Sequence, residues 1–226
     1  MLAMILLPGG FAAADDWEDQ SGWDEMEDNK TKEGEHRSMM LGAGGLPAGD
    51  FGLRLSTGLL YANAGVHVGI LDRLDLIAES LFPYETLGDI WMVGGGLKVN
   101  IHGRTGLFQS AIKLKAYGII YGDEAGAQNM SEGLALWPSF MIGLNVKEGC
   151  IYAELGAMLY PYTTSSSLQK DVFGGLPAHF GGEIYINDWF HMFINVDLLL
   201  ASPVSFFTYG LSGPFNYIEV GALFII

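Results

Sequence analysis

The chain reads as an all-β protein, an antiparallel up-and-down transmembrane barrel of about ten strands. From residue 51 to the C-terminus, strand-length segments alternate apolar and polar residues, which gives each strand one apolar and one polar face. The connections between segments are alternately very short and long, the asymmetry of membrane barrels. Half of the residues are hydrophobic, yet charges recur so often that no run of ~18 apolar residues is left to form a spanning helix. The 32 glycines and 12% aromatic residues suit strands, tight turns and interfacial rings better than helices, where glycine is unfavourable.

Residues 1–14 are expected to be an export signal. An apolar run over residues 2–7 leads to the small-residue cleavage site Ala12, Ala13, Ala14, without the usual basic start. Residues 15–49 read as an acidic, largely disordered periplasmic segment. Ten carboxylates against Lys30 and Lys32 give residues 15–35 a charge of −8 out of the −15 of the whole chain, so the segment repels itself and buries little. The echoed pairs at Trp17, Glu18, Asp19 and Trp23, Asp24, Glu25 raise a weak divalent-cation site or docking peptide as the alternative to a solvated tail.

The barrel is expected over residues 50–226. In its first strand Phe51, Leu53, Leu55, Thr57 and Leu59 oppose Gly52, Arg54, Ser56 and Gly58. A tight turn is placed near Asn63. Further on, Ile112, Leu114, Ala116 and Gly118 oppose Lys113, Lys115 and Tyr117, and Ile151, Ala153, Leu155, Ala157 and Leu159 oppose Tyr152, Glu154, Gly156 and Tyr160. Phe180, Gly182, Ile184 and Ile186 oppose His179, Glu183 and Tyr185; Phe190, Met192, Ile194, Val196 and Leu198 oppose His191, Asn195 and Asp197. The last strand sets Ile218, Val220, Ala222, Phe224 and Ile226 against Tyr217, Glu219 and Gly221.

Short turns at residues 72–73, 101–106, 147–149 and 187–189 alternate with longer loops at 83–88, 122–132, 161–175 and 201–213. With short turns on the periplasmic side, this rhythm gives ten strands with both ends in the periplasm, and eight or twelve remain compatible with it. Pro83, Pro161, Pro177, Pro203 and Pro214 fall at strand ends or in loops, where no ladder bond is lost. Pro138 is the exception, placed near the outer end of its strand, where a bulge would absorb it. Trp91, Tyr121, Trp137, Tyr160, Tyr162, Trp189 and Phe190 flank the apolar stretches as two girdles. The lone Cys150 has no disulfide partner and no zinc-ligand neighbours, and reads as an inert strand residue.

A soluble barrel would alternate too, with its apolar face inward. The export signal, the turn asymmetry and a polar phase rich in glycine (Gly52, Gly58, Gly65, Gly69, Gly94, Gly96, Gly156, Gly181, Gly221) favour the membrane reading.

Residues 46–55, Leu46, Pro47, Ala48, Gly49, Asp50, Phe51, Gly52, Leu53, Arg54 and Leu55, followed by residues 68–76 with Asp72 and Arg73 at their turn, resemble the opening of many small bacterial outer-membrane β-barrel proteins. There a glycine-bearing lead-in precedes strand one and a later hairpin turns on an Asp-Arg pair. The resemblance covers about the first three strands by motif. It implies the fold and a bacterial outer-membrane location, with outer-membrane lipid and lipopolysaccharide around the barrel and the barrel-assembly machinery as a partner. Such barrels commonly end in an aromatic residue, whereas here Phe224 stands two residues early.

The lumen face is the candidate site. Arg54, Lys98, Lys113 and Lys115 are expected inside with Asp75, Glu79, Glu154, Glu183, Asp197 and Glu219, and with His67, His179 and His191. Opposite charges should pair across a narrow bore and close it. The sharper alternative is a narrow channel for small solutes whose negative excess favours cations. A closed structural barrel would instead meet surface ligands through residues 122–132 and 161–175. A lipid-modifying outer-membrane enzyme, a hydrolase with its nucleophile and base on or near the lipid-facing wall, has thin support: Ser110 falls on the outward phase, but His102 is placed at the opposite turn, and His179 and His191 point inward. Nothing calls for a cofactor or a metal, and the strong negative charge argues against nucleic acid.

Overall fold

The structure, a computed structural model, describes residues 39–59, 61–84, 90–102, 106–121, 131–163, 173–200 and 218–226. The expected export signal, the acidic residues 15–35 and most of the expected long loops lie outside the described residues. The strands are β1 (Phe51–Gly58), β2 (Tyr61–Leu71), β3 (Leu74–Pro83), β4 (Ile90–Asn100), β5 (Phe108–Tyr121) and β6 (Ser131–Val146). They continue as β7 (Gly149–Gly156), β8 (Met158–Thr163), β9 (Phe173–Gly175), β10 (Pro177–Tyr185), β11 (Phe190–Leu199) and β12 (Ile218–Ile225).

Ten of these strands close a ring in the order β1, β2, β3, β4, β5, β6, β7, β10, β11, β12, with β12 pairing back onto β1 and every pairing antiparallel. The expected ten-stranded barrel is thus the observed one. The two remaining strands extend its wall at the loop end: β8 follows β7 after Ala157 and pairs with β6, and β9 pairs with β8 just before β10 begins.

The break between β7 and β8 has a local cause. Pro138 lies inside the long β6 and not near its outer end, paired with Leu114 of β5. On its other side the carbonyl of Pro138 accepts a hydrogen bond from the Ala157 amide at 2.9 Å. The reciprocal bond is missing because proline has no N–H, so the ladder lapses at that one residue. The expected turn near Asn63 is also displaced. β1 ends at Gly58 and β2 starts at Tyr61, while Asn63 stands within β2 opposite Ser56, its side chain buried. The two-residue periodicity runs straight through Asn63, which keeps it in the strand.

The expected alternation appears as burial. In β5, Ile112 and Leu114 are each 52% exposed while Lys113 between them is 8% exposed. Leucines, isoleucines, valines and phenylalanines are exposed all round the wall, and most strand charges are inside, those of the turns and Glu132 at the start of β6 being exposed. A water-soluble barrel would show the reverse, so this exterior suits hydrocarbon. No helix among the described residues is long and apolar enough to cross a membrane. Leu114→Arg, at the middle of β5, is therefore expected to destabilise the barrel in lipid vesicles by about 2–4 kcal/mol. Denaturant titration of the vesicle-bound protein checks this, and an unchanged midpoint would mean that Leu114 does not face lipid.

Part of the aromatic expectation is corrected. Trp91, Tyr162 and Trp189 are exposed on the outside, and Trp189 packs with Phe190 and Phe224 at the short-turn end. Trp137 and Tyr160 belong to the interior, clustered with Met92, Tyr117, Ile119, Ala135 and Met158. Both stand on the inward phase of their strands, which outranks their nearness to strand ends.

A larger correction concerns residues 39–49, expected to belong to the unstructured segment. Met39, Met40, Leu41, Ala43 and Leu46 lie inside the ring, where they form an apolar cluster with Ala111, Met141, Cys150, Tyr152, Phe193 and Leu223. Ten strands leave an interior wider than wall side chains alone fill, and this apolar run occupies the short-turn half of it.

Candidate functional site

The lumen has two polar layers. The lower one is built on the buried segment. Glu183, on β10, receives the Leu41 amide at 3.0 Å and the Met40 amide at 3.4 Å, and Asp75, on β3, receives the Leu46 amide at 3.2 and 3.3 Å. From β4, Lys98 Nζ donates to the carbonyls of Met40 (2.9 Å) and Gly42 (3.2 Å), and Asn100 donates to those of Ala43 and Gly44. The wall groups also pair with one another: Lys98 with Asp75 at 2.9 Å, and His191 with Glu183 at 2.6 Å.

The middle layer centres on Arg54 of β1. Its guanidinium donates to both oxygens of Glu219 at 2.7 and 2.6 Å, lies 3.6 Å from Glu79, and covers the Phe193 ring. Glu79 also receives Lys115 at 2.6 Å and the Tyr117 hydroxyl. Lys113 pairs with Glu154, which accepts the Ser139 hydroxyl at 2.6 Å as well. Nearer the loop end, His179 bonds Asp197 at 2.6 Å and its ring lies against Trp137. Charges in a low-dielectric interior are tolerable only when paired and hydrogen-bonded, and these are.

The residues expected on the lumen wall thus meet in three groups: Asp75, Lys98, Glu183 and His191 around the segment, Arg54, Glu79, Lys113, Lys115, Glu154 and Glu219 linking neighbouring and next-but-one strands, and the pair His179 and Asp197. His67 joins none of them; it is buried with no hydrogen-bond partner at either ring nitrogen among the described residues. A cavity of about 80 Å³ lies over Leu41, lined by Arg54, Asn63, Lys113, Glu154 and Trp137 among others. It has room for a few water molecules.

No family model and no curated protein matches this chain. Among solved structures, that of a NanC porin in a rhombohedral crystal form is similar, at 11% identity and a TM-score of 0.39, covering 78% of this chain and 97% of that one.

The residues that sequence reasoning missed are those of the segment itself and the neutral polar groups around it. Asn100 and Gln109 share the inward phase with the lysines but carry no charge to draw attention. The run of Met39, Met40, Leu41 and Leu46 directly after a charged stretch was the available signal.

One pair the sequence reading set apart is brought together. His102 Nδ1 lies 2.6 Å from Ser110 Oγ, because the β4–β5 turn folds back on the start of β5. Ser110 is on the outward phase but is 5% exposed. No carboxylate among the described residues hydrogen-bonds His102, so among them the pair has no third group to orient a catalytic base.

Proposed function

We propose that this protein is a bacterial outer-membrane channel for small solutes that rests closed, shut at its periplasmic end by residues 39–46. The observation that carries this reading is a cavity within the lumen lined by charged side chains, Arg54, Glu79, Lys113, Lys115, Glu154 and Glu219, and by Leu41 of the buried segment. Export of the chain by residues 1–14, the acidic periplasmic segment, contact with lipid and lipopolysaccharide, and insertion by the barrel-assembly machinery belong to the same proposal. So does the absence of catalysis, which the buried Ser110 and its unsupported His102 favour.

A permanently closed barrel, acting on surface ligands through its loops, is the second reading. The apolar cluster around residues 39–46 favours it, because such packing is what a fixed core has. Single-channel recording of the refolded protein in a planar bilayer separates the two. The channel reading expects long closed periods broken by unitary currents, with ion selectivity that shifts in Lys113→Gln and Glu154→Gln. Insertion without any current supports the closed barrel.

A further inference from the structure

We propose that the periplasmic half of the lumen is a preformed peptide-binding seat and that residues 39–46 are its tethered, releasable ligand. The class of ligand is a looped, apolar, glycine-rich peptide recognised through its main chain. The consequence that release opens the bore rests on the channel reading, whereas the seat itself does not.

The polar contacts between wall and segment carry the argument. Glu183 and Asp75 accept from backbone amides, and Lys98 and Asn100 donate to backbone carbonyls. The segment's side chains add only apolar packing, with Met39, Met40 and Leu46 at 1%, 0% and 0% exposure. Methionine has an unbranched, adaptable side chain, suited to a site that fills and empties.

The wall does not depend on its occupant for charge balance. Asp75 keeps its ion pair with Lys98, and Glu183 keeps its hydrogen bond with His191, when the segment leaves. The segment is also a unit in itself. The Met39 amide donates to the Gly45 carbonyl at 3.2 Å and closes it into a loop. Beyond it, Gly49 and Asp50 are pinned to Gly69 of β2 by bonds of 2.7 and 2.9 Å, which leaves residues 47–48 as the tether. Gly45 and Gly49 hold φ of +84° and +94°, conformations that glycine adopts without strain and that bracket the place where the chain must swing.

The test uses the full chain folded in lipid vesicles, with the thiol of Cys150, 3% exposed under the segment, as reporter. A small maleimide is expected to label Cys150 slowly in the parent protein. Labelling should be about tenfold faster in Glu183→Gln, which withdraws the charge that grips two amides. Leu46→Ala, which leaves the wall untouched, should speed labelling at least as much. Identical labelling in all three, with full reaction once the chain is unfolded in denaturant, would overturn the proposal.

Gly42→Cys supplies a lock. A Cβ at Gly42 would lie 2.7 Å from Cys150 Sγ, within reach of a disulfide. Oxidation of this variant should abolish unitary currents and reduction should restore them, while currents that persist in the oxidised form would overturn gating by the segment. Accelerated labelling with no current in any form would overturn the channel reading alone and support the seat.

Discussion

Replacing Glu79 with alanine is expected to cost the barrel about 3–5 kcal/mol of stability, the range for breaking a buried ion pair from one side. Glu79 is 5% exposed and serves three donors at once: Lys115 at 2.6 Å, the Tyr117 hydroxyl, and Arg54 at 3.6 Å. Removing it leaves Arg54 with Glu219, but Lys115 loses the one carboxylate it contacts directly among the described residues. The double change Glu79→Ala with Lys115→Met should be markedly less damaging than Glu79→Ala alone, since it removes the stranded cation together with its partner. Denaturant unfolding in vesicles, followed by tryptophan fluorescence, measures both. A loss below about 1 kcal/mol for the single variant would mean that water already solvates this layer.

The other large effect is steric. Gly94→Val is expected to prevent the barrel from forming, seen as loss of the folded, compactly migrating species on a gel without heating. A Cβ at Gly94 would lie 2.0 Å from the Ala116 carbonyl oxygen, and one at Gly96 2.1 Å from that of Leu114, both on β5. Backbone cannot yield as a flexible side chain does, and in a closed ring β5 cannot splay away without opening the ladder to β6. Gly118→Ala, on β5 itself, is the control: its Cβ meets nothing nearer than the Val93 carbonyl oxygen at 3.7 Å, so it should fold as the parent does. Failure of both variants would point to a general intolerance of these strands and not to the close approach at Gly94.

The phase of every strand was legible because it is a local property. Side chains two apart share a face, so Lys113 and Lys115 had to oppose Ile112 and Leu114 whatever the rest of the chain did. Strand number followed from the same rhythm, since each connection reverses the chain. Local signals failed where two of them competed. Pro138 was drawn toward a strand end by its missing N–H, but β5 pairs with the side of β6 that needs no bond from it, and the cost falls on the Ala157 side alone. Trp137 and Tyr160 carried the composition of an interfacial girdle while standing on the inward phase, and the phase decided.

The sequence by itself determined an antiparallel barrel of about ten strands, each with one apolar and one polar face, because side-chain direction alternates residue by residue; the turn asymmetry and the glycine-rich polar phase, and not the alternation, favoured the apolar face as the outer one. Only the tertiary structure decided which charges meet. Arg54 and Glu219 are 165 residues apart in the chain and meet only because β12 closes onto β1, in a register that sets Arg54 opposite Leu223 and Glu219 opposite Gly58, within reach of the long arginine side chain. Only the closed ring, too, could place residues 39–46. Their apolar character was visible, but whether an apolar run finds a lumen wide enough to enter depends on strand number and stagger, quantities that no segment of the chain carries alone.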